Sequence, residues 1–217
     1  MAFTLSTGAT VAVAKTYAAA DTITAITNAN PAVATTGAAH GIAVGDYVEI
    51  SSGWGLLDKR VVRAGASTAG STLELEGINT SDTGDYPAGE GIGSARQITV
   101  WTTLTQVKDV TASGGTQNFA DITTLTDLTQ RQMPTTRAPI SMTVNVFDDP
   151  ALPWYDEVLA ADEARTPYGM LMTFANGSKL VSNAYWSLMR VPTIAKDAAL
   201  ETQISIAYAA EPVRYAT

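Results

Sequence analysis

The chain has 217 residues, 46% of them hydrophobic and only 16% charged, which suits one large β domain or two small ones and excludes intrinsic disorder and coiled coil. Thirteen Lys and Arg stand against 21 Asp and Glu, and the resulting net charge of −8 argues against reading DNA or RNA through a basic face. Cysteine is absent, so disulfides, thiolate metal sites and cysteine nucleophiles are excluded, and no run of apolar residues is long enough to span a membrane.

Met1–Ser6 has neither the basic stretch nor the apolar core of a signal peptide, so the expectation is a leaderless chain folding in a reducing cytoplasm. Ala9–Tyr17 reads as the first strand. From Ala38 to Ser94 the chain is dense in Gly, with short candidate strands at Tyr47–Ser51, Lys59–Arg63 and Thr72–Glu76. Short strands and tight turns over such a stretch suit a small barrel-like module, and Asn79–Gly93 reads as a surface loop. From Arg96 the strands lengthen: Gln97–Gln106, then Ile140–Phe147.

A single helix follows. Asp148-Asp149-Pro150 supplies a helix-start signal, and Leu152, Tyr155, Val158 and Leu159 form one apolar face over about 151–164. Thr166-Pro167 closes it. Gly169–Ala175 and Lys179–Trp186 flank Asn176-Gly177, a hairpin signal of type I′. In Glu201–Ala209, Ile204 and Ile206 alternate with Gln203 and Ser205, as in a half-buried strand. The chain is therefore mainly β: a β-sandwich from residues 1–20 and 96–217 with one packed α-helix, interrupted at 21–95 by an inserted small β-barrel-like domain.

No catalytic, cofactor-binding or metal-binding set emerges. His40 is the single histidine, too few for the usual zinc sites, and no Gly-x-Ser-x-Gly elbow is present. The reading for His40 is a turn residue that bonds its own loop. The acid pairs Asp148/Asp149, Asp156/Glu157 and Asp162/Glu163 lie in and beside one helix, where they complement its dipole or face solvent. Asp82 and Asp85 lack the ligand spacing of a calcium hand. Trp54, Trp101, Trp154 and Trp186 are scattered rather than set out as a base-stacking row.

Several motifs, in order around the lone helix, carry a resemblance. Gly8-Ala-Thr-Val-Ala-Val-Ala-Lys15 opens the chain, Val107-Lys-Asp-Val-Thr111 with Gly114-Gly115 follows, then Phe174-Ala-Asn-Gly177 and the finish Glu211-Pro-Val-Arg-Tyr215. In these the chain resembles the major tail tube proteins of long, non-contractile bacteriophage tails, with Ala175 where the family usually has Pro. The stretch His40-Gly41 to Gly53-Trp54 is similar to a small β module of phage virion proteins.

The resemblance implies a tail-tube-type sandwich, six subunits per ring and stacked rings around a channel for DNA. It also implies contacts with tape measure and terminator proteins, an outward-facing insert, and a non-enzymatic virion component without cofactor or membrane association, assembled in the host cytoplasm for genome ejection. Leu125–Ala138, with Gln130, Arg131, Gln132, Met133 and Arg137, is the suspected assembly loop that reaches the next ring. Other roles considered are a tail terminator, a fibre-associated protein and, from a different class, a carbohydrate-binding β-sandwich.

Overall fold

A computed structural model describes residues 7–66 and 68–216; the Met1–Ser6 stretch weighed above as a leader lies outside them. The first strand, β1 (Thr10–Tyr17), is followed by five short strands: β2 (Asp21–Ile26), β3 (Ala32–Thr36), β4 (Tyr47–Ser52), β5 (Val61–Ala64) and β6 (Thr72–Glu76). The eleven-residue β7 (Gly93–Thr103) comes next. Strands β2-β3-β6-β5-β4-β7 are hydrogen-bonded in that order, and β2 pairs back onto β7 through Asp21–Ala95 and Ile23–Gly93, which closes a six-stranded barrel. Closure removes the sheet edges that an open sheet of short strands would leave unpaired.

The barrel interior holds Ile23, Ile50, Leu57, Leu73 and Leu75, together with Trp54, whose ring meets Tyr86 edge-on at 5.2 Å. The Trp54 Nε1–H donates to the Pro87 carbonyl at 2.8 Å. The Asn79–Gly93 stretch is strand-free, as expected, up to Gly93, where β7 begins, but this bond and the burial of Thr80 and Tyr86 pin it to the barrel. Lys59 has φ +59 and sits in the turn before β5, so that strand begins at Val61 instead.

The other half of β7 leaves the barrel and pairs with β1 from Ile98 to Thr103. The sheet then continues through β12 (Tyr168–Thr173), β13 (Lys179–Leu188), β14 (Glu201–Tyr208), β11 (Ser141–Phe147) and β8 (Val107–Ser113). β1 and β11 lie well apart in this order, yet Val11 and Val13 share one core with Val144 and Ile204. The sheet therefore folds over on itself as a sandwich. Two strands stand apart as a separate hairpin, β9 (Gln117–Asp121) and β10 (Gln132–Arg137), and β15 (Val213–Tyr215) pairs with the start of β13.

The helix α1 (Pro153–Ala164) starts later than Asp148-Asp149 suggests. Its N-cap is Leu152 and Pro153 takes the first turn, while the Asp149 carboxylate accepts the Ala151 N–H just upstream. The buried stripe is Trp154, Val158 and Ala161, spaced by four and three residues; Leu152, Tyr155 and Leu159 pack half-buried beside it. The expected face is thus rotated toward Trp154, which is fully buried. Arg165, at φ +53, ends the helix one residue before Thr166-Pro167.

The Asn176-Gly177 hairpin is present, but its turn is not type I′, because only Gly177 has positive φ. The Phe174 carbonyl accepts the Gly177 N–H at 2.8 Å, and the Asn176 carboxamide oxygen accepts the Ser178 N–H and hydroxyl. This is the three-residue loop in which a type I turn ends in a left-handed glycine.

Candidate assembly surfaces

The β9–β10 hairpin forms an arm. Among the described residues its two strands pair only with each other, through Met133–Ala120 and Pro134–Phe119, and every residue of β10 is exposed. The arm leaves the body at Gly114-Gly115, whose φ values of +88 and +75 are easily reached only without a Cβ. Short bonds organise the tip: Asp121 accepts from the Thr123 N–H and hydroxyl, which hold its carboxyl below the usual carboxylate range, and Asp127 accepts from the Thr124 N–H. The arm also exposes Phe119, Ile122, Leu125, Leu128 and Met133, with Leu125 and Leu128 fully in solvent. Exposed apolar clusters of this kind mark interaction surfaces.

At the arm root, Glu211 bridges two parts of the molecule. Its carboxylate meets the Arg137 guanidinium at 3.3 Å and that of Arg60, in the loop before β5, at 2.6 Å. The Arg137 Nε–H also donates to Gln117 across the hairpin at 3.2 Å.

The second surface is the outer face of the sheet β13-β14-β11-β8. Strand registers align three rows of mostly small, polar side chains, with Ala207 and Tyr185 the exceptions: Ser113, Ser141, Ala207 and Tyr185; Thr111, Thr143, Ser205 and Ser187; Asp109, Asn145 and Gln203. Its charges are Asp109, which accepts the Asn145 amide at 2.7 Å, and the Lys108–Glu201 pair at 2.7 Å. The opposite face carries Met142, Val144, Ile204 and Ile206 into the core. Two backbone edges flank this sheet. Among the described residues β8 pairs with β11 alone, and Tyr185–Leu188 of β13 pair with β14 but extend beyond the reach of β12.

Residues 52–217, more than half of the chain, match the family model for phage tail tube protein (TTP). The chain belongs to the phage tail tube protein family. It is accordingly a structural, non-enzymatic protein of the phage virion tail, and its mainly β fold with a single helix and closed barrel is a tail tube fold. No curated protein matches the sequence. Among solved structures, a chain from the cryo-EM structure of the anti-feeding prophage baseplate, 6-fold symmetrised, aligns at 9% identity with a TM-score of 0.40, covering 54% of this chain and 85% of that one.

The tail tube chain places its suspected assembly residues along the arm rather than in one cluster. Gln130 and Arg131 lie in the tip, Gln132 and Met133 on β10 opposite Asp121 and Ala120, and Arg137 at the root. The segment expected to be a loop is thus half strand. The arginines stand at opposite ends: Arg131 lies 3.9 Å from Asp127, and Arg137 faces Glu211. Sequence reasoning missed Phe119, Ile122 and Leu128, because isolated apolar residues among Thr and Asp show neither helical nor strand period.

His40 bonds its own loop, as read from sequence. One ring nitrogen accepts the Ile42 N–H at 3.2 Å, and the other donates to the Thr72 carbonyl at 3.0 Å. Among the described residues no group of His, Asp and Glu is arranged to hold a metal, and no helix is long and apolar enough to cross a membrane.

Proposed function

We propose that this tail tube protein closes into hexameric rings by pairing the free edge of β8 with Tyr185–Leu188 of a neighbour's β13, and that the rings stack around a DNA channel. The observation that carries this reading is the polar four-stranded sheet, whose backbone edge is open on each side among the described residues. Unpaired edges invite strand addition, and a closed ring is one way to leave none exposed. The four strands alternate in direction, so β8 of one copy meets β13 of the next antiparallel. The same pairing then repeats around the ring.

The polar face is the channel wall in this reading. DNA must slide without being held, and a wall of hydroxyls and amides offers phosphate no unpaired cation. Asp109, repeated in every copy, adds a repulsive charge. The net charge of −8 suggests an acidic wall, but here most of the smoothness comes from small uncharged side chains. The barrel faces outward, the arm links rings, and tape measure and terminator proteins meet the tube interior and end. Assembly takes place in the host cytoplasm before genome ejection.

Hydrogen exchange tests the lateral contact. Amides of β8 on the side away from β11 should exchange rapidly in monomer and be strongly protected in assembled protein. Equal exchange in both states would rule out strand addition at β8.

A further inference from the structure

We infer that the Met189–Leu200 connection is the surface that receives the arm of the next copy along the stack, an inference that rests on the stacked-ring reading. The register places the two features at opposite ends of one sheet. Ser113, Ser141 and Ala207 align at the end where β8 runs into the arm. Phe147 and Glu201 align at the other end, where Leu188 opens the connection and the Met189 N–H still reaches the Gln203 carbonyl at 2.9 Å.

Both ends carry apolar side chains that the rest of the chain leaves uncovered. At the receiving end, Val191 is 71% and Ile194 79% exposed, with Met189, Leu200 and Phe147 partly so. Such clustering of aliphatic side chains in a polar loop marks a contact surface. The arm brings Phe119, Ile122, Leu125, Leu128 and Met133.

One charge pairing adds to the apolar match, Arg131 of the arm against Asp148 and Asp149, although the connection also carries Lys196 and the arm Asp121 and Asp127. Asp148 and Asp149 border the receiving surface, with the Asp148 N–H donating to the Leu200 carbonyl at 2.9 Å, and neither carboxylate makes an ion pair among the described residues. On the arm, Arg131 is 64% exposed and, among the described residues, has only Asp127, at 3.9 Å, as an acid partner. Two different complementary surfaces at opposite ends make a head-to-tail contact, which repeats without closing. A contact between identical patches would stop at a dimer. The five paired residues Gln117–Asp121 alone carry the tip about 17 Å outward, which lets it project beyond the end of its own sheet toward a copy displaced along the axis.

Photo-cross-linking of the full chain tests this. A benzophenone amino acid replaces Phe119 or Leu125, isotope-labelled and unlabelled copies are mixed, and inter-copy adducts are mapped by mass spectrometry. Adducts within residues 189–200 or 147–149 are expected. Tubes whose arm adducts map elsewhere, such as the apolar groove that Val110, Met142, Met172 and Phe174 line, would overturn the inference and leave the stacked-ring reading standing. Failure of the unsubstituted protein to assemble would overturn both. As a second measurement, Val191→Asp with Ile194→Asp should cut tube yield at least tenfold and leave single rings of unchanged thermal stability. Normal tube yield from that variant would also overturn it.

Discussion

The Tyr215 hydroxyl accepts the backbone N–H of Arg63 at 2.8 Å and, in turn, donates to the Glu76 carbonyl at 3.0 Å, while the Arg63 guanidinium lies 4.6 Å from the centre of the same ring. Tyr215 belongs to the last strand, which pairs with β13 of the sandwich, whereas Arg63 and Glu76 are on adjacent barrel strands. Val213 and Tyr215 join the barrel core with Val181. The chain's end thus fastens barrel to sandwich. Tyr215→Phe leaves the ring in place but strands a buried N–H and weakens the link, and we expect it to destabilise the fold by about 1–3 kcal/mol. Chemical denaturation of the two proteins checks this, and Tyr215→Phe should expose the amides of β5 and β6 to exchange before those of β11.

Alkali should act through the same residue and through Tyr17, whose hydroxyl accepts the Gly169 N–H at 2.9 Å. Burial pushes both phenols up from 10.0 to about 12. The unfolded chain loses these protons first, so the folded state holds them more tightly. Their contribution to stability is fully present below pH 10 and is lost as the pH rises through about 12. We expect each to contribute on the order of 1–3 kcal/mol to that loss. The double variant Tyr17→Phe/Tyr215→Phe should flatten the decline when stability is followed by denaturant titration from neutral to strongly alkaline pH.

The helix is a brace for the sheet. Trp154 lies fully buried in the sandwich core, and Trp154→Ala should cost about 3–5 kcal/mol. Leu159→Ala removes a half-buried side chain and should cost about 1–2 kcal/mol. Glu163 reaches Arg190 at 3.2 Å in an exposed pair, so Glu163→Gln should change stability by less than about 0.5 kcal/mol. Thermal or urea melts of the three variants should rank them in that order.

The arm should matter to assembly and not to folding. Leu125 and Leu128 touch solvent on all sides, so Leu125→Ser with Leu128→Ser should leave monomer stability within about 0.5 kcal/mol. Sedimentation should show that the same double variant no longer forms long assemblies. Loss of monomer stability would mean that the arm packs on its own body.

Long, well-patterned strands were legible in the sequence, and weakly patterned ones were not. β14 was plain because Ile204 and Ile206 alternate with Gln203 and Ser205. β2 and β3 carry little but Thr and Ala around Ile23, Ile26 and Val33, so their strand character comes from closing the barrel against β7 and β6. The helix is evident in the sequence but its buried face is not, because Leu152, Tyr155, Val158 and Leu159 fit helical spacing as well as Trp154, Val158 and Ala161 do, and only packing on the sheet selects the stripe that holds Trp154. The arm was located by its polar composition, and its pairing was missed because Pro134 sits within β10; a strand Pro is tolerated there because β10 is an edge. The polar face was invisible as a unit, since it exists only once the registers of β8, β11, β14 and β13 are set.

Cryo-electron microscopy of the assembled full-length protein tests the central claim most directly. We expect stacked six-membered rings in which β8 of each copy pairs with Tyr185–Leu188 of the next, with Thr111, Thr143 and Ser205 facing the channel. A map with those residues on the outside, or rings joined through the barrel with β8 unpaired, would contradict it.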